Sequence, residues 1–225
     1  MSMGTGSIQG SVPVVVHSEE SEEAMIAIID YDAGNIKSVE KALQYLGQDT
    51  MLTRDPEMIR KADRTILPGV GSFGDAMGKL RGYGLEEVIR DFVATGKPFL
   101  GICLGLQLLF SESEESPGVQ GLSLLPGKIC RIPEGEGRKV PQIGWNDIAI
   151  RPDSRLFAGV RDHSYVYFVH SYYLQAERQE DVAATTEYGV TIHAAVESGN
   201  VYACQFHPEK SSDVGLQILK NFISL

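Results

Sequence analysis

The sequence predicts an α/β protein in which a mostly parallel central sheet carries helices on both faces and is extended by a region of antiparallel strands. Three observations predict it. Short apolar runs alternate with helical repeats from Met25 to Ile102, the pattern of strands linked by crossover helices. After Pro117 the texture changes to β-branched and aromatic runs cut by Gly, Pro, Asn and Asp, the pattern of hairpins. Between the two halves an apolar run enters a Gly-x-Cys-x-Gly turn and leaves it as a helical repeat, a strand-to-helix junction of the kind that exposes a nucleophile.

The elements follow in order. Residues 26–29 are an apolar strand, and the polar turn 30–35 leads into a helix whose Ile36, Val39, Leu43 and Leu46 recur at helical spacing until Gly47 stops it. A second strand is expected at 51–53, a short helix after Pro56, and a third strand at 64–67 that ends in Pro68-Gly69-Val70-Gly71. Helical patterns at 75–80 and 85–94 precede a fourth strand at 98–102, and a helical run continues from Leu104 to Phe110. The later strands are expected at 128–132, 165–169, 190–196 and 201–206, the last two flanking the hairpin loop Ser198-Gly199-Asn200. A closing helix at 214–223 presents Leu216, Leu219 and Phe222 to the sheet.

A chain of 225 residues with 43% hydrophobic content buries one sizeable core and is short for two ordinary domains. One domain is therefore expected, at 25–225. Residues 1–24, rich in Ser, Gly and Glu, read as a disordered leader or an appended extension and show no basic, apolar signal pattern. The formal charge of -10 argues against general affinity for nucleic acid or anionic membranes. No apolar run approaches the ~20 residues of a membrane span, and three widely spaced cysteines suit a reducing compartment, so a soluble cytoplasmic protein is expected.

Gly101-Ile102-Cys103-Leu104-Gly105 carries the sharpest chemical signal. A sharp turn strains the nucleophile, flanking glycines remove side chains that would clash, and the start of a helix favours the thiolate. Gln205-Phe206-His207-Pro208-Glu209 supplies a base and its orienting carboxylate, His207 and Glu209 being two apart at the end of an apolar strand, where both can point to the same face. Pro68-Gly69-Val70-Gly71 ends another strand, where a glycine-flanked peptide can turn its N–H toward an oxyanion. A rival reading uses Gly69-x-Gly71-x-x-Gly74 as a dinucleotide fingerprint, but it follows the third strand instead of the first. His163, beside a turn, and His193, mid-strand, read as structural or solvated.

Together the elbow, the glycine turn and the His-Pro-Glu end resemble the class I glutamine amidotransferases, in the same order and over almost all of 25–225. The segments 28–35, 71–77, Gly144-Trp145-Asn146, 168–172 and 207–211 are similar to the branch that serves imidazole glycerol phosphate synthases. The resemblance implies a flavodoxin-like three-layer fold and a Cys103, His207, Glu209 triad. It also implies an oxyanion hole from the N–H groups of Val70 and Leu104, and glutamine held by Gly71, Gln107, His170, Ser171 and Tyr172. Asn35, Trp145, Tyr167 and Lys210 are implied to face a separate cyclase subunit in a heterodimer of histidine biosynthesis that receives the ammonia. No metal or other cofactor is implied. Gln142 departs from the family, which often carries His there, and the leader is foreign to it. Glutaminases of other synthases, free-standing γ-glutamyl hydrolases and an idle binding module on the same fold stand as alternatives.

Overall fold

The computed structural model describes residue 1 and residues 24–34, 36–135 and 137–225. Most of the expected leader, and Asn35 at the expected partner face, lie outside the described residues.

The first half alternates as the sequence implies: β1 (Ile26–Ile29), α1 (Ile36–Tyr45), β2 (Thr50–Thr53), α2 (Pro56–Lys61), β3 (Arg64–Gly69), α3 (Phe73–Gly82), α4 (Leu85–Ala94), β4 (Phe99–Cys103) and the one-turn α5 (Leu104–Gln107). The second half adds β5 (Glu112–Ser113), β6 (Gly127–Arg131), β7 (Gln142–Ile150), β8 (Ser164–His170), β9 (Tyr172–Ala176), β10 (Val182–Glu187), β11 (Thr191–Ser198), β12 (Val201–Cys204) and α6 (Ser212–Ile223). Nine strands form one sheet in the order β2-β1-β3-β4-β12-β11-β10-β7-β8, and β5-β6-β9 form a second. Pairings from β2 to β12 are parallel, and those from β12 to β8 are antiparallel. The antiparallel region is thus continuous with the parallel one, and β12 is the strand where they meet.

Burial explains the parallel half. Every residue of β1 and β4 is covered, as strands sandwiched between helices require. On α1 the covered residues are Ile36, Val39 and Leu43, and on α4 Leu85, Val88, Ile89 and Phe92, so each helix lays one stripe on the sheet. Asp55 caps α2 through Glu57 N, with Pro56 in the first turn where its missing N–H costs nothing. No helix among the described residues is long and apolar enough to cross a membrane.

Two expectations are corrected. The helical run through Phe110 stops at Gln107, because the carbonyls of Leu108 and Leu109 accept from Leu122 N and Leu124 N, each at 2.8 Å, instead of from residues four further along. On α6 the covered residues are Gly215, Ile218, Leu219 and Phe222, while Leu216 is half-buried. Gly215 sits where a Cβ would overlap the carbonyl of Pro208, so α6 packs directly on the His-Pro-Glu turn.

Candidate active site

Three strand ends converge on Cys103. Parallel pairing of β3 with β4 sets Gly69 opposite Cys103, and pairing of β12 with β4 sets Cys204 opposite Ile102. The glycine turn and the His-Pro-Glu turn therefore leave the sheet on either side of the nucleophile, at the carboxyl edge where α/β folds place their sites.

Cys103 has φ 56 and ψ -110, a conformation that side chains avoid and that persists only when its surroundings enforce it. The glycines enforce it. A Cβ on Gly101 would lie 2.8 Å from the carbonyl oxygen of Gly105, and one on Gly105 would overlap the carbonyl of Leu67 on β3. Gly105→Ala is accordingly expected to destabilise the fold by roughly 2 kcal/mol or more, within the usual cost of overpacking, read as a lower denaturation midpoint.

His207 Nδ1 lies 2.8 Å from Glu209 Oε1, with both side chains almost fully covered. The two do not meet by alternation along a strand, as the sequence reading had it. β12 ends at Cys204, and a 3-10 turn at Pro208–Lys210 folds the carboxylate back onto the ring. That turn is tied down: His207 N donates to Tyr167 O at 2.9 Å, Ser211 Oγ to His207 O at 2.6 Å, and Tyr167 N to Ser211 Oγ at 3.0 Å. Nε2 of His207 meets no nitrogen or oxygen partner among the described residues and is turned to the Cys103 sulfur.

Burial alone would lower the His207 pKa, but the Cys103 sulfur and the Glu209 carboxylate outweigh it and push it up to about 9. The imidazole is then a cation at neutral pH. Since this value lies above the unfolded value near 6.5, its stability contribution is full below about pH 6.5 and is lost as pH rises through about 9. The melting temperature should fall across that window, and fall less in His207→Gln.

A cavity of about 300 Å³ opens beside the nucleophile. Cys103, His207 and all seven residues expected at the oxyanion hole and the substrate line it: Val70, Leu104, Gly71, Gln107, His170, Ser171 and Tyr172. Glu209 lies behind His207 and not on this cavity. Sequence reasoning missed Glu115, Pro141 and Val169, which also line it. Glu115 accepts from Phe73 N at 2.7 Å, at the start of α3. A dinucleotide's pyrophosphate would need that helix start, so an acid there removes the fingerprint reading. In the sequence Glu115 is one of several acids in a Ser/Glu run that reads as solvated loop. Tyr31 was missed too: its hydroxyl donates to Pro68 O at 3.0 Å and stands where a Cβ on Gly69 would go, so it fixes the base of the glycine turn.

His170 is buried, and burial lowers its pKa to about 4, so the ring is neutral at pH 7. Its Nδ1 donates to Tyr172 O at 2.8 Å, and the Gln142 amide lies 3.0 Å from Nε2. The atom placed at that distance is Gln142 Oε1, and since a neutral ring that donates through Nδ1 accepts through Nε2, the terminal amide is read turned over, with its NH2 toward the ring. Gln142, the departure from the family's usual His, is turned inward and buried against this ring.

At the expected partner face, Trp145 and Tyr167 are opposite one another on β7 and β8, edge to face at 6.1 Å, with Trp145 50% exposed. Lys210 is exposed on the turn bonded to Tyr167. Ile143 and Tyr165, which sequence reasoning missed, add exposed apolar surface on the same side of the hairpin. His163 pairs with Asp147 at the surface, and His193 accepts from Ala176 N, so both serve structure.

The chain matches the family described as Glutamine amidotransferase class-I over residues 27–225. It is 54% identical over 202 residues to the imidazole glycerol phosphate synthase subunit HisH of Methanothermobacter thermautotrophicus, a match covering 89% of this chain and 98% of the relative. It is 48% identical over 198 residues to the protein of the same name from Caldanaerobacter subterraneus, covering 88% and 97%. Among solved structures it is similar to the PurLQS structure from Thermotoga maritima, with TM-score 0.70, 20% identity and coverage of 90% and 98%. A crystal structure described as a glutamine amidotransferase gives TM-score 0.69 at 23% identity, covering 88% and 98%.

Proposed function

The chain belongs to the class I glutamine amidotransferase family, and on that premise we infer that it is the glutaminase subunit of an imidazole glycerol phosphate synthase, hydrolysing glutamine to glutamate and ammonia for a cyclase subunit. The observation that carries the reading is the buried His207, set between Cys103 and a carboxylate 2.8 Å away, on a cavity lined by every residue assigned to glutamine. Relatives of about half identity along nearly the whole chain support the choice of synthase.

The chemistry follows from these groups. The Cys103 thiolate attacks the side-chain carboxamide of glutamine, and the N–H groups of Leu104 and Val70 receive the oxyanion. The His207 imidazolium gives its proton to the departing ammonia, leaving a glutamyl thioester. His207, now neutral and held in one tautomer by Glu209, takes a proton from water as the water attacks the thioester, and glutamate leaves. Gln107, His170, Ser171 and Tyr172 shape the wall that holds the substrate, and Glu115 places a carboxylate where it can meet the substrate's ammonium group.

Ammonia released into water at neutral pH becomes ammonium and loses its nucleophilicity, so an acceptor site sealed onto this one keeps the product usable. That the relatives are named as a subunit of a synthase supports an acceptor on another protein. The cyclase is assigned to the face bearing Trp145, Tyr167 and Lys210, giving a cytoplasmic heterodimer whose combined activity is that of a lyase in histidine biosynthesis. Mixing the chain with a cyclase subunit tests this. A one-to-one complex that makes imidazole glycerol phosphate from glutamine is expected, and turnover of γ-glutamyl peptides by a chain that binds no cyclase would replace the reading with a free-standing hydrolase.

A further inference from the structure

The catalytic sulfur has a neighbour that the triad does not include. Gln205, fully buried just before His207, places its side-chain nitrogen 3.7 Å from Cys103 Sγ. Counting donors fixes which end of that amide faces the sulfur. Gln107 Nε2 lies 3.0 Å from Tyr172 O and 3.0 Å from Gln205 Oε1. An amide nitrogen has two hydrogens and accepts nothing, so one hydrogen goes to each oxygen. Turning Gln107 over would set its oxygen against the Tyr172 carbonyl, acceptor facing acceptor. Gln205 is therefore obliged to give Gln107 its oxygen and the sulfur its nitrogen.

The arrangement is backed on every side. Tyr172 O also receives His170 Nδ1, whose ring is held by Gln142, and the main chain of Gln205 is fixed by its own N–H to Ala194 O at 2.8 Å. Donors locked before the reaction stabilise developing or resident charge without reorganising. A neutral donor has a further merit here. It supports the thiolate without adding a proton to the site, so the single mobile proton stays on His207 for the departing ammonia.

Resting on the glutaminase reading, we propose that Gln205 is a catalytic hydrogen-bond donor to the Cys103 sulfur, supporting the thiolate before attack and again as it leaves the thioester, with Gln107 as the positioning residue that aims it. Other groups around the sulfur are His207 and Glu209 from the His-Pro-Glu turn, Tyr31 from the loop after β1, Cys204 on β12, and Glu115 and His170 on the cavity wall. Val169 O, 4.0 Å from Sγ, is an acceptor that serves the protonated thiol. The uncharged donors Tyr31 and His170 give their hydrogens to Pro68 O and Tyr172 O, so among these side chains Gln205 is the uncharged one that donates to the sulfur.

The test uses the full chain with Gln205→Met, which keeps volume and loses the donor, and Gln205→Glu, which keeps the acceptor for Gln107 and puts an anion by the sulfur. Iodoacetamide alkylation of Cys103 is followed against pH, and glutamine turnover is measured in the complex with a cyclase. The apparent thiolate inflection should rise by about one unit in the Met variant and further in the Glu variant. Below the inflection, tenfold less thiolate is partly offset by greater nucleophilicity, so alkylation should slow by roughly three- to fourfold. kcat should fall with KM nearly unchanged. A folded variant of either kind with an unshifted inflection, or a rise in KM alone, overturns the proposal while leaving the glutaminase reading in place. A wild-type chain whose Cys103 resists alkylation and which turns over no glutamine overturns the glutaminase reading itself.

Discussion

Cys103→Ala is expected to reduce glutamine hydrolysis by at least about 10⁴-fold while leaving the fold and the affinity for a cyclase close to those of the wild type. The size follows from removing a covalent nucleophile whose partners act as a unit with it. Stability is spared for a backbone reason. Position 103 is held at positive φ by the packing of Gly101 and Gly105, and Ala suffers the same strain there that Cys already does. Binding is spared because the side chain points into the cavity, away from Trp145 and Lys210. A glutamine-like electrophile should mark Cys103 alone. Cys204 is fully enclosed, with burial pushing its thiol well up, and Cys130 is covered on β6 with its thiol raised by burial and by Glu114. Equal modification of the three cysteines by mass spectrometry, or substantial turnover by Cys103→Ala, would remove Cys103 from the mechanism.

The residues that announce themselves in the sequence are those whose backbone role restricts their type. Gly101 and Gly105 stand where no side chain fits, and the strained cysteine between them is legible from the string alone. The parallel half is legible for a similar reason, since β1 and β4 are buried on both faces and read as unbroken apolar runs. The strands that escaped notice have weaker patterns. β10, Val-Ala-Ala-Thr-Thr-Glu, lies between β11 and β7 and is built of small residues, while β7 carries Gly144 at φ 138 and leaves Ile143 and Trp145 exposed, so its alternation is inverted toward solvent. β5 has two residues and takes its pairing entirely from β6.

Within the site, Gln205, Gln142, Tyr31 and Glu115 were illegible because their importance is a matter of what they face. Each is a common residue type in an unremarkable position, and hydrogen bonds to partners 28 to 102 residues away define them. The departure at Gln142 was visible, but its direction was not. Only the packing of β7 against β8 turns it inward to His170.

Activity is expected to depend on the partner by about a hundredfold or more. The base of the glycine turn is rigid, with Pro68 O held by the Tyr31 hydroxyl and Gly69 packed against it, whereas Val70 is 38% exposed and Gly71, at φ 102, has open space where a side chain would be. The peptide between Gly69 and Val70, which carries the Val70 N–H, is thus the movable part of the oxyanion hole, because glycine at 69 passes between alternative conformations at little cost and the chain beyond it is open. The Val70 side chain leans toward Gly34, in the turn that leads to Asn35. On the proposed docking face, a cyclase seated on Trp145 and Lys210 would favour the orientation that turns an N–H inward, and ligand in the cyclase would favour it further. A hundredfold rate change needs about 2.7 kcal/mol of differential stabilisation, which one oxyanion donor supplies. Trp145→Ala and Lys210→Ala should each cut the stimulation several-fold with little change in melting temperature, since both side chains are largely exposed in the free chain. Steady-state glutaminase assays of the chain alone, with cyclase, and with cyclase plus its nucleotide ligand read the effect directly. Equal rates in all three would mean that the turn is already competent in the free chain and that docking carries no signal to it.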